Sequence, residues 1–264
     1  MNRLRFALVA LTLCACDIPI ERDRGPGPTV LGTDPADGDV GVDRAAPFRV
    51  FFDRQIYPRD VHRGRIRVQS GTRSAFLSPW FDPVERVLWA DNLGGALEPT
   101  TRYRLWVEGI RDLELTPMAG RHRITFETGP DADGGAVPES VGFDRVQPIF
   151  AGCARDTCHG EARPALGLDL SSGEAIARTA IGVAAEQTRV GTQGEGPYHG
   201  AATLDGLAIV DVVGGVGRPS RSYLMYKVLG DPHAAGDVMP PAGSLSSADL
   251  SALSLWIHAG APTE

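Results

Sequence analysis

Over residues 29–128 the chain runs in short stretches where apolar and polar side chains alternate. Phe48-Arg49-Val50-Phe51-Phe52, Arg65-Ile66-Arg67-Val68, Arg86-Val87-Leu88-Trp89, Tyr103-Arg104-Leu105-Trp106-Val107 and Arg123-Ile124-Thr125-Phe126-Glu127 each collect apolar groups on one side at a period of two. That is the repeat of a strand half buried in a sheet. Asp37-Gly38, Asn92-Leu93-Gly94-Gly95 and Ala119-Gly120 punctuate the stretches with residues suited to chain reversal. Many short strands joined by turns predict an antiparallel β-sandwich.

The pattern changes after a Gly/Pro/Asp-rich segment at residues 130–138, the composition of a linker between folding units. From Phe143 onward it is helical and loop-like. Val146-Gln147-Pro148-Ile149-Phe150 leads into a cysteine pair, and Leu250, Leu253, Trp256 and Ile257 recur at helical spacing within residues 246–258. Ser246, Ser247 and Asp249 suit the start of that helix and Gly260 its end. The predicted organisation is multi-domain: a leader at 1–15, a tether at 16–28, an all-β sandwich at 29–129, a linker at 130–142 and a mainly α-helical unit at 143–264.

At 264 residues both units are large enough for a core of their own. A formal charge of −7 offers no basic surface for nucleic acid, so that partner class is set aside. Arg3 and Arg5 precede an apolar run at residues 6–13 that is too short to span a bilayer and reads as an export signal. Leu13-Cys14-Ala15-Cys16 resembles a bacterial lipoprotein box, which implies cleavage before Cys16 and lipidation of that residue; an ordinary secretory signal is the alternative. The expected location is the bacterial cell envelope, membrane-tethered by lipid and facing the periplasm or the exterior.

With Cys14 discarded and Cys16 lipidated, Cys153 and Cys158 remain, and His159 follows the second directly. Two thiols running into an imidazole are how a chain holds c-type haem, the thiols bonding the porphyrin and the histidine ligating iron. The usual spacing places two residues between the cysteines, whereas here Ala154, Arg155, Asp156 and Thr157 intervene. Cysteines three apart on a helix lie about 60° from one another, and five apart about 140°. A regular helix could not present both thiols to one porphyrin edge, so if both bind, residues 154–157 are expected to bulge as a loop, with Cys158-His159 starting a helix beyond it. Met239, between Asp237-Val238 and Pro240-Pro241, sits on a stiff non-helical segment and is the candidate second iron ligand. Other readings stand beside this one: a Cys153–Cys158 disulfide in an oxidising compartment, a zinc site adding His199 or His233 to Cys153, Cys158 and His159, and Met239 as core filling. His62 and His122 are expected at the surface, and His258 exposed on the last helix.

Two resemblances extend these readings. Asp34-Pro35-Ala36-Asp37-Gly38 leading to Val42, Phe48 to Phe52 with Asp53, Tyr103 to Val107 followed by Ile110-Arg111-Asp112, and Ile124-Thr125-Phe126-Glu127-Thr128-Gly129 resemble the bacterial Ig-like domains of surface-layer and other exported proteins. That likeness implies a scaffold or spacer. Ile149-Phe150, Cys158-His159-Gly160, Gly167-Leu168-Asp169-Leu170, Ser222-Tyr223-Leu224-Met225-Tyr226-Lys227-Val228, Met239-Pro240-Pro241 and Leu255-Trp256-Ile257-His258-Ala259-Gly260-Ala261 are similar, in order, to class-I-type cytochrome c domains of exported bacterial proteins. The resemblance implies thioethers at Cys153 and Cys158, His159 as proximal and Met239 as distal iron ligand, and Tyr223, Leu224 and Trp256 packing the haem pocket. Residues 175–217 have no counterpart in it and read as an insertion covering the haem edge. The expected function is one-electron transfer by haem c iron with a redox partner protein, without an enzymatic substrate of its own. The competing expectation is a structural or adhesive Ig-like lipoprotein with a Cys153–Cys158 disulfide and no haem.

Overall fold

In the computed structural model, which describes residues 25–134, 140–188, 190, 199–241 and 243–264, eight strands form two four-stranded antiparallel sheets. These are β1 (Val30–Asp34), β2 (Phe48–Phe52), β3 (Ile66–Ser70), β4 (Arg73–Ser74), β5 (Leu77–Asp82), β6 (Val87–Asn92), β7 (Arg102–Glu108) and β8 (Arg121–Glu127), ordered β1-β2-β6-β5 and β4-β3-β7-β8. The alternation read from the sequence is the packing pattern. Phe48, Val50 and Phe52 of β2, Tyr103, Leu105 and Val107 of β7, and Ile124 and Phe126 of β8 point between the sheets and are buried. The order begins ahead of residue 29: Gly27 and Pro28 are already buried, and a Cβ on Gly27 would lie 2.0 Å from the Pro117 carbonyl oxygen.

Strand β5 escapes the period-two reading. Pro79 interrupts it, tolerated because β5 is at the edge of its sheet, and Trp80, Phe81 and Asp82 are buried in succession. Phe81 enters the sandwich core, while Trp80 and Asp82 face a second layer.

That layer belongs to the C-terminal unit: α1 (Phe143–Cys153), α2 (Gly173–Thr179), α3 (Tyr223–Leu229), α4 (Ser247–His258) and a small hairpin, β9 (Val212–Val213) with β10 (Val216–Gly217). Helix α4 starts where its sequence suggests, with Ser246 Oγ accepting the Asp249 N–H at 3.1 Å. Asp249 also receives Arg145 of α1 at 2.9 Å. Between the two helices Phe150 meets Trp256 edge-on, centroids 5.4 Å apart. Val146, Phe150, Ile176, Leu204, Tyr223, Met225 and Trp256 share one core. Among the described residues no helix is long and apolar enough to cross a membrane.

The two units share a face. One turn of α4 separates Ser254 from His258 by about 6 Å, close to the two-residue step of a strand, about 6.8 Å. Ser254 Oγ donates to Asp82 Oδ1 at 2.9 Å, and His258 stacks on Trp80 with centroids 3.8 Å apart. The expectation of an exposed His258 is thereby corrected: the sandwich covers it, and burial holds its pKa below the ordinary histidine value. Asp60 accepts Arg111 Nε at 2.9 Å and Nη2 at 2.7 Å. This fixes a loop that carries Leu113 into the helical core and Glu114 to within 2.8 Å of His233.

Burial pushes the Asp82 carboxyl above the ordinary aspartate range, against the opposing hydrogen bonds from the Val84 N–H and Ser254. The folded chain therefore binds this proton more tightly than the unfolded one. Its contribution is complete below the unfolded aspartate value and is lost as pH rises through the raised folded value. Asp82→Asn, which keeps an acceptor for Ser254, is expected to remove that loss and gain stability relative to wild type on going from about pH 4 to about pH 7. Urea midpoints of both proteins across this window check it; parallel curves would refute it.

Candidate cofactor site

Helix α1 ends on Cys153, and the Ala154 N–H closes its last turn onto the Phe150 carbonyl at 2.9 Å. The chain then leaves the helix and turns about Arg155. The Arg155 carbonyl accepts the N–H groups of Cys158 at 2.8 Å and Gly160 at 3.0 Å. Only glycine suits position 160, since a Cβ there would sit 2.9 Å from the Arg155 carbonyl carbon. The His159 N–H returns to the Cys153 carbonyl at 3.2 Å, so residues 153–159 form a closed loop with a cysteine at each side and the imidazole beside the second. The expected helix beyond Cys158 is not formed. Residues 158 and 159 lie in turns because the backbone of His159 is instead engaged with the Gly-Leu-Asp-Leu segment, its carbonyl accepting the Leu170 N–H at 2.8 Å.

The side chain of His159 is held by the same segment. Its Nδ1 lies 3.1 Å from the Leu168 carbonyl oxygen. A carbonyl only accepts, so Nδ1 carries the proton and Nε2 keeps the lone pair, the tautomer that can bind a metal. Both thiols are free. Cys153 is half-buried, and burial raises its thiol pKa, with the neighbouring Cys158 adding to the rise.

Tyr223 and Leu224 of α3 and Trp256 of α4 are buried in the helical core, against which Cys153 packs. These four sequence-selected residues thus gather around one core. Tyr223 Oη accepts the Ala235 N–H at 2.8 Å, and burial raises its pKa. Trp256 Nε1 donates to the Pro262 carbonyl at 2.7 Å. Met239 is half-buried and is not among the residues of that core. It is fixed through its backbone, whose N–H donates to the Lys227 carbonyl at 3.1 Å. The stretch at 175–217 holds most of α2, the hairpin and the buried Leu204, Leu207 and Val210; it is part of the core rather than only a cover. Cys16 lies outside the described residues.

The zinc set does not assemble. Among the described residues no group of three or more His, Cys, Asp and Glu side chains is placed to hold a metal ion. His233 is occupied at both nitrogens, by Asp231 and Glu114, each at 2.8 Å. The Asp231 bond, more than Glu114, holds its pKa above the ordinary histidine value. His62 is exposed and accepts the Gly64 N–H, whereas His122 is half-buried. The residue that sequence reasoning missed is Lys227, the one cation in the otherwise apolar α3 run Tyr-Leu-Met-Tyr-Lys-Val-Leu; a lone charge in such a run was the available signal.

Residues 25–128 match the bacterial Ig-like domain family. The Ig-like domain thus accounts for the sandwich from its first buried residues to the end of β8. No curated protein matches the chain. Solved structures similar to it include the surface-layer protein SbsC (12% identity, TM-score 0.31), with 44% of this chain and 15% of that one covered. They also include the methionine-rich copper resistance protein PcoC from Escherichia coli (9% identity, TM-score 0.32, 38% and 97% covered). A third is CopC from Methylosinus trichosporium OB3b (14% identity, TM-score 0.30, 42% and 99% covered). The chain spans less than a sixth of the SbsC length.

Proposed function

We propose that residues 143–264 bind haem c and that the protein is an exported one-electron carrier rather than an enzyme with its own substrate. The observation that carries this reading is the Nδ1 bond from His159 to the Leu168 carbonyl, which leaves Nε2 available as a ligand beside two free thiols. A carbonyl fixed on Nδ1 in this way orients a ligating histidine and raises its basicity. Cys153 and Cys158 would hold the group covalently, His159 and Met239 would be the iron ligands, and Tyr223, Leu224 and Trp256 would keep water from it. The bound haem would supply a one-electron iron couple. Asp231, Glu114 and the other acids leave the chain at −7, a charge that suits a basic redox partner. Cys16 would be the lipid anchor and the Ig-like domain the rigid mount, in keeping with a surface or extracellular setting for such domains.

The Ig-like match favours a second reading, in which the whole chain is a structural or adhesive lipoprotein and the cysteines pair. The family match concerns the sandwich alone. A pyridine haemochrome spectrum of protein exported from a host with cytochrome c maturation separates the two. A c-type spectrum, weakened or shifted in Cys153→Ser and Cys158→Ser, is the expected result. Haem-free protein with a Cys153–Cys158 disulfide would leave the structural reading.

A further inference from the structure

We infer that Lys227 is the positioning residue for Met239, holding the 231–239 segment in place from both its side chain and its backbone. The ligand part of this inference rests on the haem reading; the loop-holding part does not.

Helix α3 is buried almost throughout, and Lys227 lies within it with only 8% of its surface exposed. An ammonium in such a place needs acceptors to offset its lost hydration. Its acceptors both come from one loop: Nζ donates to the Ala235 carbonyl at 2.5 Å and to the Asp237 carbonyl at 2.6 Å. The main-chain carbonyl of the same lysine accepts the Met239 N–H at 3.1 Å. Three points within five residues of loop are thereby tied to one residue of a helix. Gly230, left-handed at φ 65°, turns the chain off the end of α3. Gly236, also at φ 65°, lies between the two bonded carbonyls, and a Cβ on it would stand 3.8 Å from Nζ. A Cβ there would make only ordinary contact, so it is the left-handed backbone that favours glycine at this position.

The chemistry is specific to a compact cation. Lysine offers three donors on a point charge, two of which are used here, and charge-assisted bonds to carbonyls are about twice as strong as neutral ones. Removing the charge leaves two carbonyls converging on an apolar side chain with no donor between them. Desolvation lowers the Lys227 pKa, with Asp237 opposing, as expected for a group whose burial is offset by its partners.

The test compares wild type, Lys227→Met, which keeps apolar bulk, and Lys227→Arg, which keeps charge and donors. In haem-free protein, Lys227→Met is expected to raise amide exchange at Met239 and Ala235 by about tenfold or more, the equivalent of losing one buried hydrogen-bond partner, with Lys227→Arg restoring part of the protection. In haem-loaded protein, Lys227→Met is expected to retain the wild-type pyridine haemochrome yield. It should also lose the sulfur-to-iron charge-transfer band and show a lower reduction potential, as loss of a thioether ligand requires. Unchanged exchange at Met239 and Ala235 overturns the inference. Faster exchange with an intact sulfur band shows a held loop that does not place the ligand, and overturns the ligand part. A wild-type protein that takes up no haem sinks the haem reading, while the exchange data still decide whether Lys227 holds the loop. Far-ultraviolet circular dichroism identifies misfolding; if Lys227→Met unfolds, Lys227→Gln carries the same comparison.

Discussion

Trp256→Ala is expected to destabilise the helical unit by about 3–5 kcal/mol, the range for truncating a buried aromatic side chain. Trp256 is fully buried and lies edge-on to Phe150 in the last turns of α1. Its indole N–H donates to the Pro262 carbonyl beyond the end of α4. Alanine removes all three connections at once: the core volume, the α1–α4 contact and the bond that folds the C-terminal residues back. Domains of this size are stable by only about 5–15 kcal/mol, so the loss amounts to at least about a fifth of the total. Phe150 is three residues from Cys153, and loosening α1 is expected to disorder the cysteine loop as well. Chemical denaturation followed by helical circular dichroism measures the effect, and a loss below about 1 kcal/mol would show that the core re-closes around the gap.

Trp80→Ala is expected to cost about 3 kcal/mol or more and, unlike Trp256→Ala, to act between the units. Trp80 is 5% exposed although it projects from the outer face of its sheet. It is sandwiched between its cross-strand partner Trp89, stacked at 5.7 Å, and His258 of α4 at 3.8 Å. The Arg49 guanidinium lies over the Trp89 ring at 5.4 Å from its centroid. Without Trp80 the α4 face keeps only the Ser254–Asp82 bond at this point, and calorimetry is expected to resolve separate transitions where wild type shows one. His258 would then meet water, and its pKa would rise toward the ordinary histidine value because burial is the main cause of its depression. A nuclear magnetic resonance titration of His258 reads this directly. An unshifted pKa together with a single transition would mean that the interface does not depend on the stack.

Alternation was sufficient to locate β2, β3, β7 and β8, each with one face in the sandwich and the other less buried, and it also located β6, although Val87 and Leu88 are buried in succession there. It missed β5, whose Trp80-Phe81-Asp82 is buried on both faces, and β1, whose Val30–Asp34 is nowhere fully buried. Helix α4 was legible from its Ser246 cap and its apolar spacing. The cysteine loop was anticipated only on the premise that both thiols face one porphyrin edge, since thiols about 140° apart on a regular helix could not. The reading of Cys158-His159 as a helix start failed because a long-range partner, the 167–170 segment, took up the His159 backbone and imidazole. His258 was misplaced for a similar reason: nothing on its own helix says that another sheet will stack on it.

The sequence by itself determined a half-buried β-sandwich, a helical unit after a Gly/Pro-rich junction, and a local Cys153, Cys158 and His159 constellation. Each follows from residues near in the chain, where periodicity and spacing dictate direction. The tertiary structure decided the tautomer of His159, the tying of Met239 to Lys227, and the shared face in which Asp82 and Trp80 meet Ser254 and His258. Those depend on groups distant in sequence, whose carbonyls, rings and carboxylates acquire their roles only when folding removes water from around them.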